Sequence, residues 1–425
     1  MTPRRVVAAV AGLAALGLAL RIWFAVDVTG SSSMIGDGLE YLGLAHGIAD
    51  GHGYVSPFTP PGMEAVASAH KPPLYPLLLA VVALFGAGGH VPFQVISAVA
   101  GTGTVVVCAV LAHRVSGPRA AVLAAALGAV YPVFLVADAS LRAESLYGLL
   151  IALSLLAAYR AWERPSGWRL VVLGVLIGLA TLARSEGLAL LVLLGVPIAL
   201  RAAPGGLSAV ARFALVTGAC VVVLAPWLIR CWIVFDRPVF ISTNSGDLIA
   251  GANCAAVYSG PHIGSWAFAC ATGASGRNEA DVAAKLRRRG FDYARDHAGR
   301  LPAVTVARAL RPWGLYDPHG EVVGKTLGEG KSTTANWLGL VACWVLMALS
   351  VFAFVLLRRR GQPLFILAAP FVLVLLVSVT SYGILRFRAP ADVALVVLGA
   401  VALDALWARV AGRLQAPRSA AASTS

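Results

Sequence analysis

Charge is scarce in this 425-residue sequence: only 13% of residues are Asp, Glu, Lys or Arg, about half the roughly 25% usual for soluble domains. A chain so poor in charge and 59% hydrophobic does not read as a soluble globular enzyme. Cysteine is sparse too, six in all. Cys108, Cys220, Cys231 and Cys343 fall in apolar runs and read as small buried hydrophobes. Cys254 and Cys270 share one polar loop; they either pair there or stay free thiols, since spacing alone fixes no geometry. There is no repeat of fixed period, and the one low-complexity stretch is the small-residue tail Ser419–Ser425, expected to be disordered. Nucleotide signatures are missing as well. No Gly-x-Gly-x-x-Gly follows a strand, and Gly330-Lys331-Ser332 lacks the earlier glycine of a phosphate-binding loop, because Lys325 stands there and Gly324 is one place out.

What the sequence has is a series of apolar runs from Val6 to Trp407, at a mean hydropathy of +0.80. In lipid each run must close its own backbone hydrogen bonds, so the fold class read here is an all-α polytopic membrane protein. Helices are expected near 6–28, 91–113, 119–137, 143–160, 169–183, 187–202, 209–234, 336–357, 363–382 and 390–408, about ten spans. The first run is too long for the apolar part of a signal peptide and lacks a small-x-small cleavage site before Arg21-Ile22-Trp23. Leu74–Phe85 is too short to cross, and is expected as a re-entrant or interfacial helix.

The net charge of +14 is explained by topology rather than by nucleic acid. With the N-terminus inside, cytoplasmic segments hold fifteen arginines, among them Arg4, Arg5, Arg114, Arg358, Arg359 and Arg360. The short outer loops hold five cations, Lys71, Arg142, Arg184, Arg386 and Arg388. Both termini are therefore expected in the cytoplasm of a plasma-membrane protein. The chain divides into a first helix (1–28), a first outer loop (29–90), helices two to seven (91–234), a large outer loop (235–335), the last three helices (336–408) and a tail (409–425). Only Glu163 and Asp404 of the 20 carboxylates lie inside, which concentrates polar chemistry on the outer face. In the large loop, 278–296 has Val282, Leu286 and Tyr293 near helical spacing among charges and is expected as an amphipathic helix on the membrane surface, with Trp313 and Tyr316 suited to the interface.

Within the first outer loop, Ile35-Gly36-Asp37-Gly38-Leu39-Glu40-Tyr41 opens a short helix that Gly51 would stop. Asp37 reads either as an N-cap, with Glu40 completing a capping box, or as a carboxylate that accepts a proton from a substrate hydroxyl. Lys71, before Pro72-Pro73, is a fixed cation at headgroup depth; it meets either a membrane phospholipid or the phosphate of a lipid-linked substrate. His46, Asp50 and His52 are either a metal group or solvated loop residues.

Several segments together resemble one family. Arg21, Asp37 with Tyr41 and Ala45, Gly51-His52-Gly53-Tyr54 and His70-Lys71-Pro72-Pro73-Leu74-Tyr75-Pro76 come first. Ala139-Ser140-Leu141-Arg142-Ala143-Glu144-Ser145-Leu146, Gly178-Leu179-Ala180-Thr181-Leu182-Ala183-Arg184, Pro226-Trp227-Leu228-Ile229-Arg230, Ile241-Ser242-Thr243-Asn244-Ser245-Gly246 with Gly251-Ala252-Asn253, and Arg386-Phe387-Arg388-Ala389-Pro390 follow in order. Over about residues 15–405 the chain resembles the integral-membrane glycosyltransferases of the C superfold, most of all the dolichyl-phosphate-mannose protein mannosyltransferase-like group, glycosyltransferase family 39. The bacterial aminoarabinose transferase acting on lipid A is a more distant look-alike.

The resemblance implies inverting transfer of a sugar from a polyprenyl-phosphate donor to a hydroxyl of a glycan, lipid or protein acceptor at the outer leaflet. Asp37 matches the catalytic carboxylate, Lys71 a contact to the donor phosphate, and Glu144 the second acidic position. His70, Arg184, Arg386 and Arg388 complete the expected substrate-binding set. No cofactor is implied, and Gly38 stands where the family often has a Glu beside the Asp, which weakens a paired-carboxylate metal site. The physics agrees, since cations at outer helix ends would stabilise a leaving phosphate without nucleotide or ATP. The runner-up is a transporter or flippase for a polar lipid, which would place its charges near the midplane instead.

Overall fold

A computed structural model describes residues 2–30, 36–59, 62–86, 88–201, 208–324 and 332–415. Ile35, Lys325, Gly330, Lys331 and the tail Ser419–Ser425 lie outside the described residues. The fold is all-helical, and among the described residues the β pairing is confined to one bridge, Val55 to Ala67.

Among the described residues, six helical segments are long and apolar enough to cross a membrane: Pro3–Thr29, Val91–Ser116, Glu144–Glu163, Ala209–Phe235, Thr333–Arg359 and Leu385–Ala411. The chain is thus a multi-pass membrane protein. In helix terms the order is α1 (Pro3–Trp23), α2 (Asp37–Ala49), α3 (Leu74–Ala83), α4 (Val91–Ser116), α5 (Pro118–Val130), α6 (Pro132–Ala139), α7 (Glu144–Glu163) and α8 (Gly167–Ala183). Then come α9 (Val196–Leu200), α10 (Ala209–Phe235), α11 (Ser245–Ala252), α12 (Glu279–Asp296), α13 (Leu301–Leu310), α14 (Thr333–Arg359), α15 (Leu364–Thr380) and α16 (Ala389–Gln415).

Every expected span window holds a helix, but four are not long single crossings. The window 119–137 breaks into α5 and α6, bent by 52°. Pro132 forces the residue before it out of helical geometry, and Tyr131 accordingly has ψ 114°. That break strands carbonyls inside an apolar bundle, and Arg21 from α1 meets them: it donates to Gly128 O at 2.9 Å and Ala129 O at 3.3 Å while its Nε holds Asp138 Oδ2 at 2.6 Å. The window 187–202 opens as a 3-10 turn (Ser185–Ala189) and a π turn (Leu191–Gly195) before α9. α8 and α15 are 17 residues each, shorter than the roughly 20 residues a perpendicular crossing needs. Leu74–Ala83 is the short apolar helix expected there.

In the large loop, α12 forms where its spacing predicts, with Asn278 as N-cap accepting from Asp281 N at 3.0 Å. Its buried face is set against protein rather than left for the membrane surface: Ala280, Ala283, Leu286 and Gly290 are buried, next to α11. Two glycines permit the approach, because a Cβ on Gly290 would lie 2.4 Å from Ile249 O and one on Gly246 2.5 Å from Ala283 Cα. Cys254 and Cys270 are joined in a disulfide that closes the loop between α11 and α12. Trp313 stacks on Phe371 with ring centroids 5.9 Å apart, so the expected interface residue is also a packing contact between the loop and α15.

Candidate functional site

The site begins where α2 begins. Gly36, at φ +61°, turns the chain and Asp37 is the first helical residue. The capping-box reading is corrected here. The N-cap position is Gly36, and Asp37 Oδ1 accepts from Lys71 Nζ at 2.8 Å and its Oδ2 from Arg386 Nη1 at 2.5 Å. Glu40, three residues on, lies on the same helix face and accepts from His70 Nδ1 at 2.5 Å, with Lys71 Nζ 3.2 Å away. Charge-assisted bonds to nearby cations are stronger than a bond to a neutral backbone amide, so the cations claim both carboxylates. One buried ammonium therefore ties together two carboxylates a helical turn apart. Gly51, at φ +81°, follows the end of α2 as its spacing predicts.

Lys71 is held by its backbone as much as by its charge. Tyr54 Oη donates to Lys71 O at 2.9 Å, and Ser242 Oγ to His70 O at 3.1 Å. Thr243 N donates to Ala69 O at 2.9 Å. Arg230, packed over the Tyr54 and Trp227 rings, donates to Ser68 O at 2.5 Å and Tyr54 O at 2.9 Å. Glu279, at the start of α12, accepts from Ser68 Oγ at 2.7 Å, Ala69 N at 2.8 Å and Thr243 Oγ1 at 2.9 Å. Four chain segments thus fix the four residues Ser68 to Lys71 that precede Pro72.

These groups face a cavity of about 640 Å³. Asp37, His70, Lys71, Glu144, Arg184 and Arg386 all line it, together with Glu40, Glu186 and Asp247. Arg184, the residue that ends α8, reaches Glu144 Oε1 at 2.7 Å and Glu186 Oε1 at 2.5 Å. His70 bridges Glu40 and Asp247, the second through Nε2 at 2.9 Å. Arg388 is the exception. It lies outside this cavity, on a neighbouring one of about 80 Å³, and its guanidinium turns one helical turn along α16 to Asp392 at 3.3 Å. Asp392 also accepts from Tyr131 Oη at 2.7 Å, so Arg388 is committed to a buried cluster inside the bundle. Rings line the same cavity: Trp266 and Phe268 from the disulfide-closed loop, Tyr382 after α15, and Phe387, whose ring lies 5.6 Å from the Arg184 guanidinium.

The electrostatics follow from this packing. Burial works to raise the Asp37 carboxyl, but Lys71, Arg386 and Arg142 outweigh it and hold the group well below the ordinary carboxylate range. Glu40 is likewise lowered, against its burial, by the His70 hydrogen bond and by Lys71. Burial disfavours the His70 imidazolium, yet bonds to Asp247 and Glu40 push it up to about 9. Lys71 stays charged: burial opposes this, and Asp37 and Glu40 overcome it.

Sequence reasoning did not single out Glu40 as an ion-pair partner, nor Asp247, Glu279 or Arg230. Arg230 and Asp247 stood in or beside family-like segments, the one signal that could have raised them. Of the possible metal trio, His46 sets its ring edge-on to Phe93 at 5.6 Å. Among the described residues no group of three or more His, Cys, Asp and Glu stands arranged to hold a metal.

Residues 70–230 match the family model described as dolichyl-phosphate-mannose-protein mannosyltransferase. No curated protein matches the sequence. Among solved structures, the Archaeoglobus fulgidus oligosaccharyltransferase complexed with zinc and sulfate is similar at a TM-score of 0.54 and 16% identity, over 95% of this chain and 50% of that one. The archaeal oligosaccharyltransferase AglB from the same organism, with an inhibitory peptide and a dolichol-phosphate, gives 0.51 and 17%, over 97% and 52%. ArnT from Cupriavidus metallidurans bound to undecaprenyl phosphate gives 0.44 and 17%, over 95% and 80%. The chain spans about half the length of the oligosaccharyltransferases, and at these identities what is shared with them is the fold.

Proposed function

We propose, for a chain that carries the dolichyl-phosphate-mannose-protein mannosyltransferase segment in a C-superfold membrane fold, that it moves a sugar from a polyprenyl-phosphate carrier to an acceptor hydroxyl, with inversion. The observation that carries this reading is Asp37 held between Lys71 and Arg386 on the wall of one cavity. Both carboxylate oxygens are occupied by cations in the free protein, which makes Asp37 a weak base. A donor phosphate is a competing anion. As it draws Lys71 and Arg386 to itself, the carboxylate loses its cations and its proton affinity rises, so the base is armed when the donor is seated.

The acceptor oxygen then attacks the anomeric carbon and gives its proton to Asp37. The bond from that carbon to the phosphate oxygen breaks, and its electron pair leaves on the phosphate, where Lys71, Arg386 and Arg184 meet the charge. One displacement inverts the configuration and leaves polyprenyl phosphate, glycosylated acceptor and a proton on Asp37 for solvent. Each cavity carboxylate already has a cationic side-chain partner, so this arrangement does not fit a metal held by paired carboxylates, and side chains supply the positive charge.

The cavity end of the bundle is assigned to the outer face of the plasma membrane, because the basic residues collect at the opposite end. All four free cysteines are buried, which makes this simple to test. Phe58→Cys, at the cavity rim, should react in intact cells with a membrane-impermeant maleimide; protection until the cells are broken would reverse the orientation. For the chemistry, purified protein should transfer sugar from polyprenyl-phosphate mannose. Asp37→Asn should cut turnover by about 10²–10⁴ while donor binding is kept or tightened, since the competing anion is gone. Lost donor binding with unchanged turnover at saturation would overturn the role given to Asp37.

A further inference from the structure

We infer that the ring-lined wall of this cavity, which starts beside Arg184 at Phe387 and runs to Phe268 at the mouth, is a sugar-binding surface, and hence that the hydroxyl this protein glycosylates belongs to a carbohydrate; this rests on the transfer reading above. Tyr382 and Phe387 lie 4.7 Å apart and are nearly fully buried at the base of the wall. Trp266 sits 6.3 Å from Tyr382 with its ring tilted by 33°, and Phe268, 6.1 Å further on, is 71% exposed at the mouth. The rings form a row that climbs from buried to open.

The indole orientation is fixed: Trp266 Nε1 donates inward to Asp247 O at 2.9 Å, so the ring presents its face to the cavity rather than its N–H. Gly251 makes room for it, since a Cβ there would stand 2.1 Å from Nε1. The Cys254–Cys270 disulfide closes the loop that carries it. Asp247 and Asn244 line the same cavity and supply hydrogen-bonding edges.

A pyranose has the matching chemistry. Its C–H face is weakly positive and stacks on the negative face of an aromatic ring, while its hydroxyls reach carboxylates and amides at the rim. An extended peptide is read instead by backbone hydrogen bonds along an edge, and this wall offers ring faces. The polyprenyl tail of a donor belongs between helices in the bilayer, whereas Trp266 and Phe268 stand on the large loop between α11 and α12.

The test uses full-length protein in lipid nanodiscs with short-chain polyprenyl-phosphate mannose, offered octyl α-mannoside or a Ser/Thr-rich peptide. Expected are transfer to the glycoside, a rise of ~10-fold in its KM for Trp266→Ala, partial rescue by Trp266→Phe, and a smaller rise for the exposed Phe268→Ala. Binding of polyprenyl phosphate should not change in any of these variants. Transfer to the peptide alone would overturn the inference, and so would weakened polyprenyl-phosphate binding by Trp266→Ala, which would put the lipid tail on this wall. Failure of the wild-type protein to bind the donor or release sugar from it would instead overturn the transfer reading itself.

Discussion

The two ends of the helix bundle carry charge in opposite ways. At the cavity end, Lys71, Glu40 and Glu144 have side chains only 7–8% exposed, and Lys71 and Arg184 each bridge two carboxylates. At the other end the pairs are few and open: Arg114 with Glu163, whose carboxylate side chain is 48% exposed, and Arg119, 58% exposed, at 4.0 Å from Asp404. Arg360 there donates to the Ser116 hydroxyl. Both ends are polar for a membrane protein, and Arg212 is buried at the far end against the Ala199 carbonyl, but among the described residues the cross-bridged buried ion pairs stand at the cavity end. Counting basic residues therefore reads orientation, while burial and cross-bridging read chemistry.

The largest effect that would test this contrast is loss of Arg184. Removing a buried cation leaves Glu144 and Glu186 facing each other without it, and Arg184→Ala should cost about 3–5 kcal/mol of stability, measured by denaturant titration in detergent. A change below about 1 kcal/mol would place Arg184 with the open pairs of the other end. A middle-sized effect is expected from pH. The His70 imidazolium, favoured by Asp247 and Glu40 and opposed by Lys71, has its value raised from 6.5 to about 9. Its stabilisation is complete below pH 6.5 and is lost as pH rises through about 9. The melting temperature should fall across that window, and His70→Asn should flatten the fall; an unchanged slope would mean the bridge is not ionic. The smallest effect belongs to the far end, where Arg114→Ala should shift stability by about 0–1 kcal/mol and leave sugar transfer unaltered. A larger shift, or lost transfer, would erase the distinction between the ends.

Much of the fold was legible in the sequence because each membrane helix is a local feature: an apolar run of sufficient length needs no partner to be recognised. The break at Tyr131–Pro132 was missed because apolar character continues across it, although Pro132 was the available signal. At the site, Asp37, Lys71, Glu144, Arg184 and Arg386 were each visible as ions at or near the ends of apolar runs. Their companions were not, since Glu40 obeys a local capping pattern until long-range partners are known, and Glu279 sits more than 200 positions from Ala69, whose amide it accepts. Arg388 shows the reverse error: beside Arg386 in sequence, it turns the other way around the helix to Asp392.

The arginine that plugs the bend between α5 and α6 has a consequence for assembly. Until α1 docks, the kinked hairpin would carry naked carbonyls at Gly128 and Ala129 and a lone Asp138 anion in hydrocarbon. The hairpin therefore cannot settle into its final shape ahead of its N-terminal neighbour. The first transmembrane segment acts as a template for α5 and α6, the two helical pieces that follow α4.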